Sequence, residues 1–265
     1  MPLTVISGLF AVVFYLLGLI FQGQNITGRK NNRNQVLVVG FMAILAHGVS
    51  AMGVIRTEGG YHFGIPEIST LITFAISLLI LISSLRKPLD NLLLGLFPLA
   101  IVTIVVSLTV SSRFPPTTMG VGLAAHVLLS VIAYSLMTIA AMQAGFLAFQ
   151  NYQLKHHHAG GLISKFPPLQ DMETLLFELL WVGEVILTLG IVAGFLFVDD
   201  LWAQAGMIHK TFFSILAWVV FAALLWGRHQ IGWRGRTAIR FTLTGFIFLL
   251  LGFYGSKFAL EYVIN

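Results

Sequence analysis

The feature that most constrains this chain is its division into long apolar runs separated by short polar stretches. A bilayer hydrocarbon core is about 30 Å thick and takes roughly 20 helical residues to cross. Eight runs meet that length: Leu3–Phe21, Val36–Ile55, Ile65–Leu85, Asn91–Val110, Gly120–Gln150, Leu175–Val198, Lys210–Gly227 and Ala238–Lys257. Lipid offers the backbone no hydrogen-bond partners, so such runs must satisfy their N–H and C=O groups internally, as helices. The expected fold is therefore an all-α, polytopic membrane helix bundle, a single transmembrane domain over residues 1–265. The fifth run exceeds one crossing and is expected to project beyond the membrane, because Gln150–Lys155 continues it in polar letters. Leu162–Leu169, with Pro167 and Pro168, reads as an inner-surface connection. The first run has no basic residues ahead of it and is long enough to span, so it reads as a retained helix rather than a cleaved signal.

Composition agrees. Of 265 residues, 57% are hydrophobic and 9% charged, against about 25% charged in a typical soluble domain; mean hydropathy is +0.91. The absence of cysteine excludes disulfides, zinc–thiolate sites, iron–sulfur clusters and covalent haem attachment through Cys-x-x-Cys-His. The formal net charge is +5. It does not point to nucleic acid, because the basic residues are spread over short loops rather than clustered on a soluble face.

Those loops set the orientation. Arg29, Lys30, Arg33, Arg86, Lys87, Lys155, Lys165, Arg228, Arg234, Arg236 and Arg240 fall on one side, 11 of the 15 basic residues, and Arg56, Arg113, Lys210 and Lys257 on the other. The basic side is cytoplasmic. Both termini are then outside, and the expected location is a bacterial inner membrane. No phosphate-binding loop, Ser/His/Asp order or paired-carboxylate motif is present, and no autonomous enzymatic turnover is expected.

Two histidines stand out, His47 in the second run and His126 in the fifth. A titratable side chain at membrane depth is costly and marks a functional site by default. At a rise of about 1.5 Å per residue, His47 lies roughly 12 Å below Ile55 and His126 roughly 9 Å below Gly120. Both are thus placed in the outer half of the membrane. Two histidines on facing helices at one depth suit a bis-His b-type haem. Gly40, Ala43 and Ala51, on the face of His47, would let a flat macrocycle approach. Small residues at this spacing also serve ordinary helix packing, and an intramembrane histidine can simply bond a neighbouring helix.

The remaining polar groups are weaker candidates. His62 and His209 fall in outer loops. His156, His157 and His158 form a cytoplasmic run that nothing nearby completes as a metal site. Arg56, Arg113, Lys210 and Lys257 rim the outer face, where they could pair with propionates or snorkel to the interface. Asp199 and Asp200 form an outer acidic pair that is a poor cation site alone. Glu184 sits near mid-membrane, either as a proton or cation site or bonded to a neighbour such as Gln143.

Several segments resemble a known family. AHGVSAMGVIR, AAHVLLSVIAYSLMTIAAMQAGFLAFQ, METLLFELLWVGEVILTLGIVAGFLF, and ILAWVVFAALLWGRHQIGWRGR with LLGFYGSK resemble, in order, helices of the cytochrome c assembly family. These are the CcsA/CcmC-type haem-handling membrane proteins, and the chain is most similar to their short, eight-span YpjD-like branch. The resemblance runs from about residue 36 onward. It implies a non-covalent haem b, handled in cytochrome c maturation. It implies His47 as a transmembrane ligand and His126 as an outer-face ligand; the rim residues Arg56, Arg113 and Lys257 are the expected propionate partners on charge alone.

The pattern departs from the family in three places. The second transmembrane ligand would fall near Trp226, with His229 three residues on, and no histidine follows the last helix. The tryptophan-rich haem-presenting loop keeps Trp202, Lys210 and Trp218, but its centre reads Met207-Ile208-His209, which would set His209 beside a haem. With one histidine kept from each of two sites, His47 and His126 are the expected axial pair. The implied partners are the lipid bilayer, haem, and either cytochrome c maturation proteins or a membrane ion transporter. In the alternative, the chain is an accessory or regulatory subunit of a divalent-cation transporter. A small transporter using Glu184 is a further reading, without an inverted repeat to support it.

Overall fold

The computed structural model describes residues 2–28, 32–85, 90–112, 115–156, 167–198 and 205–258. Helices occupy all eight expected runs: α1 Pro2–Ile26, α2 Arg33–Ile55, α3 Ile65–Ser84, α4 Asp90–Thr109, α5 Val121–Lys155, α6 Leu169–Phe197, α7 Ala205–Gln230 and α8 Arg236–Leu250. A π-helical turn, Leu251–Gly255, and a last turn, Ser256–Phe258, continue α8. Among the described residues, eight helices are long and apolar enough to cross a membrane.

The burial pattern explains why lipid must be the solvent. On α1 the buried residues are Ser7, Gly8, Ala11, Tyr15, Gly18, Gln22 and Ile26, whereas Leu3, Ile6, Phe10, Val13 and Leu17 are exposed. The large apolar side chains face out, and small or polar ones face the neighbouring helix. Water would invert that order; in a bilayer, close packing of small residues and interhelical hydrogen bonds hold helices together instead.

Helix ends extend beyond the apolar runs. α5 is one continuous helix of 35 residues, about 52 Å long at the α-helical rise, so it does project past the hydrocarbon. α6 begins at Leu169 rather than near Leu175. Pro168 is its N-cap, with φ −52° and ψ 143°; it cannot continue a helix backward but can precede one, and Asp171 in the first turn suits the positive helix end. Leu169, expected in the inner connection, is therefore helical.

The chain divides into two compact units. In the first, α1 packs on α2 and α4, and α3 on α2 and α4. Phe97 of α4 lies against Gly18 and Gly40, so its ring fills space that two absent side chains leave. At the outer end a two-stranded hairpin, β1 Arg56–Thr57 and β2 Gly60–Tyr61, pairs Arg56 with Tyr61, and Tyr61 bridges to Thr117.

In the second unit α5 packs on α6 and α8, and α7 on α6 and α8. Its inner end is fixed by Glu173. One carboxylate oxygen accepts from Arg228 Nη1 at 3.1 Å, and the other from the Gly235 N–H at 3.2 Å. The Arg228 guanidinium also lies 4.6 Å from the centroid of the Phe177 ring. Gly235 has φ +56° and ψ −121°, a conformation open to glycine and strained for other residues. Its N–H is thereby aimed at Glu173 as the chain turns into α8.

Candidate functional site

His47 is wholly buried in the first unit, at 0% exposure. Its Nδ1 lies 3.1 Å from the Tyr15 hydroxyl and its Nε2 3.0 Å from Thr70 Oγ1. The network assigns the protons. Ser77 Oγ donates to the Thr73 carbonyl at 2.7 Å, so it accepts the Tyr15 hydroxyl hydrogen at 3.0 Å. Tyr15 has a single hydrogen to give. Its oxygen must then accept from His47 Nδ1–H, which leaves the Nε2 lone pair to accept from Thr70. One chain of bonds thus ties α1, α2 and α3 together. The edges of Tyr15 and Phe74 close on the imidazole, with ring centroids 5.8 Å and 5.7 Å away.

The small residues around His47 are filled by protein. A Cβ on Gly40 would meet Leu81 at 3.1 Å, and one on Gly48 would meet Phe74 at 2.9 Å. Ala43 and Ala51 are buried. The face expected to admit a macrocycle receives neighbouring side chains, and the position in front of Nε2 holds the Thr70 hydroxyl.

His126 is different. It sits six residues into α5, half-buried, in the second unit. Its Nδ1 lies 2.9 Å from the carbonyl oxygen of Gly190 on α6. A carbonyl only accepts, so Nδ1 carries the hydrogen and Nε2 bears the lone pair. Nε2 has no partner among the described residues. The seat for this ring is made by absent side chains: a Cβ on Gly194 would stand 3.0 Å from Cε1 and 3.2 Å from Nδ1. An imidazole whose N–H is held by a carbonyl while its other nitrogen is open is in the form that metal-ligating histidines take.

The other expected residues divide between the units. In the second, His209 is exposed near the start of α7, and Lys257 is half-buried with its Nζ 5.6 Å from the Phe253 ring centroid. Both lie at the end of the unit where α5 begins. Trp218 donates its indole N–H to Thr188 Oγ1 at 2.9 Å. Trp226 and His229 are exposed on α7. In the first unit Arg56 is exposed at the start of the hairpin. Arg113 and Trp202 lie outside the described residues, as do His157, His158, Asp199 and Asp200. His156 stacks on Tyr152 and bonds that residue's carbonyl at 2.8 Å.

The residues that position the two histidines were not among the sequence candidates. Tyr15, Thr70 and Ser77 are isolated polar letters in apolar runs, and their common register facing His47 is their only signal. Gly190 and Gly194 stand four apart in LTLGIVAG, the spacing that lays two absent side chains along one helix face.

Residues 35–264 match the family described as cytochrome C assembly protein. The chain is 26% identical over 256 residues to the inner membrane protein YpjD of Escherichia coli, covering 95% of this chain and 97% of that one. It is 27% identical over 255 residues to an uncharacterised 28.8 kDa protein of Azospirillum brasilense, covering 92% and 90% respectively. It is 23% identical over 171 residues to the cytochrome c biogenesis protein CcsA of Prochlorococcus marinus, covering 57% and 55%. No solved structure matches the chain.

Proposed function

The chain belongs to the cytochrome c assembly protein family, and from that premise we propose that it binds haem non-covalently in the outer half of its second unit and takes part in haem handling for cytochrome c maturation. Family membership supports the maturation role. The observation that carries the binding site is His126: its N–H is bound to the Gly190 carbonyl, its Nε2 is open, and its ring is half-buried at the outer part of the unit.

The residues present fit a b-type haem at this point. His126 would supply a ligating nitrogen of fixed tautomer, and Gly190 and Gly194 hold its orientation. Lys257 and His209, at the same end of the unit, are the residues that would meet the haem carboxylates or edge. When bound, haem iron would supply reversible ligand binding and one-electron chemistry. The protein's part is to orient the imidazole and limit water access to it.

The expected second ligand, His47, is less open to iron, because its Nε2 already accepts the Thr70 hydroxyl at 3.0 Å. That observation favours a second reading for this residue, in which it braces α1, α2 and α3. A non-haem role as an accessory subunit of an ion transporter is the competing function for the whole chain.

Purification from haem-replete cells separates these readings. Haem binding predicts a Soret band and a pyridine haemochrome of the b type, both lost in His126→Ala. A His47→Ala protein that keeps its haem but unfolds more readily supports the bracing reading; loss of low-spin character without loss of stability supports bis-His ligation. A colourless wild-type protein, or one that co-purifies with a transporter and no haem, refutes the haem proposal.

A further inference from the structure

The haem reading uses none of the groups around Glu184, the only charged residue in the middle of the second unit's described helices. Glu184 is 7% exposed, on the buried face of α6. Neither carboxyl oxygen has a hydrogen-bond partner among the described residues. Gln143, the partner expected from the sequence, instead donates its side-chain N–H to the Met172 carbonyl at 3.0 Å.

No cation answers it either. α6 packs on α5 and α7. Between His126 and Tyr152, α5 carries one titratable side chain, Tyr134, whose hydroxyl donates to the Leu249 carbonyl. Between Lys210 and Arg228, α7 carries none, and Arg228 is committed to Glu173. On α6 itself Glu178 is exposed. Helix register sets Glu184 one residue from Gly183, which faces Met137 and Leu136, and one turn from Thr188. The Thr188 hydroxyl donates to the Glu184 backbone carbonyl and accepts from Trp218. The hydroxyl and indole groups that helix register brings to this level of α6 are thus already in use.

Three ligand classes could answer a carboxylate so placed. An ion pair is absent among the described residues. A bound metal cation needs several oxygen ligands, and no three His, Asp or Glu side chains converge among the described residues. A proton needs one oxygen. An ionised carboxylate in hydrocarbon, without a partner, is heavily penalised, whereas the neutral acid is not.

We propose that Glu184 is a proton-binding site within the second unit, held as the neutral acid and able to release and retake its proton. It does not depend on haem being bound, and it gives the unit an exchangeable charge at membrane depth.

A hydrophobic carbodiimide tests this on the full chain in native membranes at neutral pH. N,N′-dicyclohexylcarbodiimide takes the carboxyl proton onto one nitrogen, and the carboxylate oxygen adds to its central carbon. The O-acylisourea then rearranges by O-to-N acyl transfer to a stable N-acylurea with no group lost. Peptide mass spectrometry is expected to find the adduct on Glu184 at least tenfold above Glu173 and Glu178. Glu184→Gln removes it, and Glu184→Asp keeps it. Because the wild-type chain carries the main readout, a poorly folding variant does not blunt the test. No adduct on Glu184, or equal labelling of Glu178, overturns the proposal. Protection of Glu184 by sodium or magnesium ions at constant pH also overturns it, in favour of a metal cation.

Discussion

Gly194→Ala is the sharpest test of the His126 seat. The added Cβ would lie 3.0 Å from the imidazole Cε1, against a comfortable separation of about 3.5–4.0 Å between carbon atoms. The ring must therefore retreat from α6 by roughly half an ångström. Gly190 is on the same helix, so the retreat also stretches the Nδ1–H···O bond. From 2.9 Å it reaches roughly 3.4 Å, beyond the range of good N–H···O geometry. Loss of that bond costs about 1 kcal/mol, and overpacking costs about 1–3 kcal/mol more unless the helices part. The strain burdens the haem-free protein too, so the expected loss of haem affinity is that for removing the partner of a metal-ligating histidine, roughly tenfold to a hundredfold.

The assay is haem titration of apoprotein in detergent, followed at the Soret band, with size-exclusion profiles to confirm folding. Gly183→Ala is the control. Its Cβ would meet the flexible end of Met137 at 2.9 Å, which can swing aside, so affinity should change less than about twofold. Wild-type affinity in Gly194→Ala, or an equal loss in Gly183→Ala, would refute the argument that this glycine seats the ligand.

Other expectations follow from the same geometry. Tyr15→Phe removes the oxygen that accepts His47 Nδ1–H and the hydrogen given to Ser77. Thermal denaturation in detergent should show a loss of about 0.6–2 kcal/mol, the scale of intramembrane hydrogen bonds, and Ser77→Ala should add little to it. Thr70→Val frees His47 Nε2. If His47 only braces helices, the variant loses stability with an unchanged haem spectrum; a shift in the Soret band would instead place iron at that nitrogen. Gly235→Ala has open space for its methyl group but a backbone at φ +56° and ψ −121°. It should cost about 1–3 kcal/mol and raise proteolysis within residues 228–236. Glu173→Gln keeps the shape but removes the charge facing half-exposed Arg228; its effect should stay below about 1 kcal/mol.

The spans were legible because hydrocarbon thickness imposes a length that hydropathy records directly, and every apolar run lies in a helix. The ends were less so. Leu169–Thr174 is polar enough to resemble a loop, yet it forms the first turns of α6, with Pro168 as the N-cap. At the histidines, sequence showed which side chains were costly but not what surrounded them. His47 meets Tyr15 and Thr70, and Tyr15 meets Ser77, from two other helices, pairings that no local spacing encodes. The Gly40 and Ala43 face looked the same whether it would admit a cofactor or a neighbouring helix, and only packing separates the two. Gly190 and Gly194 were visible as a spacing, but the ring they seat comes from a different helix.

The π-helical turn at Leu251–Gly255 makes the last span out of phase with itself. Such a turn accommodates one residue more than an α-helical turn does, and each residue advances an α-helix by about 100° around its axis. Ser256–Phe258 are thus rotated relative to the face that Arg236–Leu250 presents. Removing a single residue from this turn would straighten the helix and carry Lys257 to a different azimuth. The span reads as an ordinary α-helix that has absorbed a one-residue insertion. Comparing chain lengths between two fixed points, Gly245 and Lys257, would distinguish relatives that bear the insertion from those that do not.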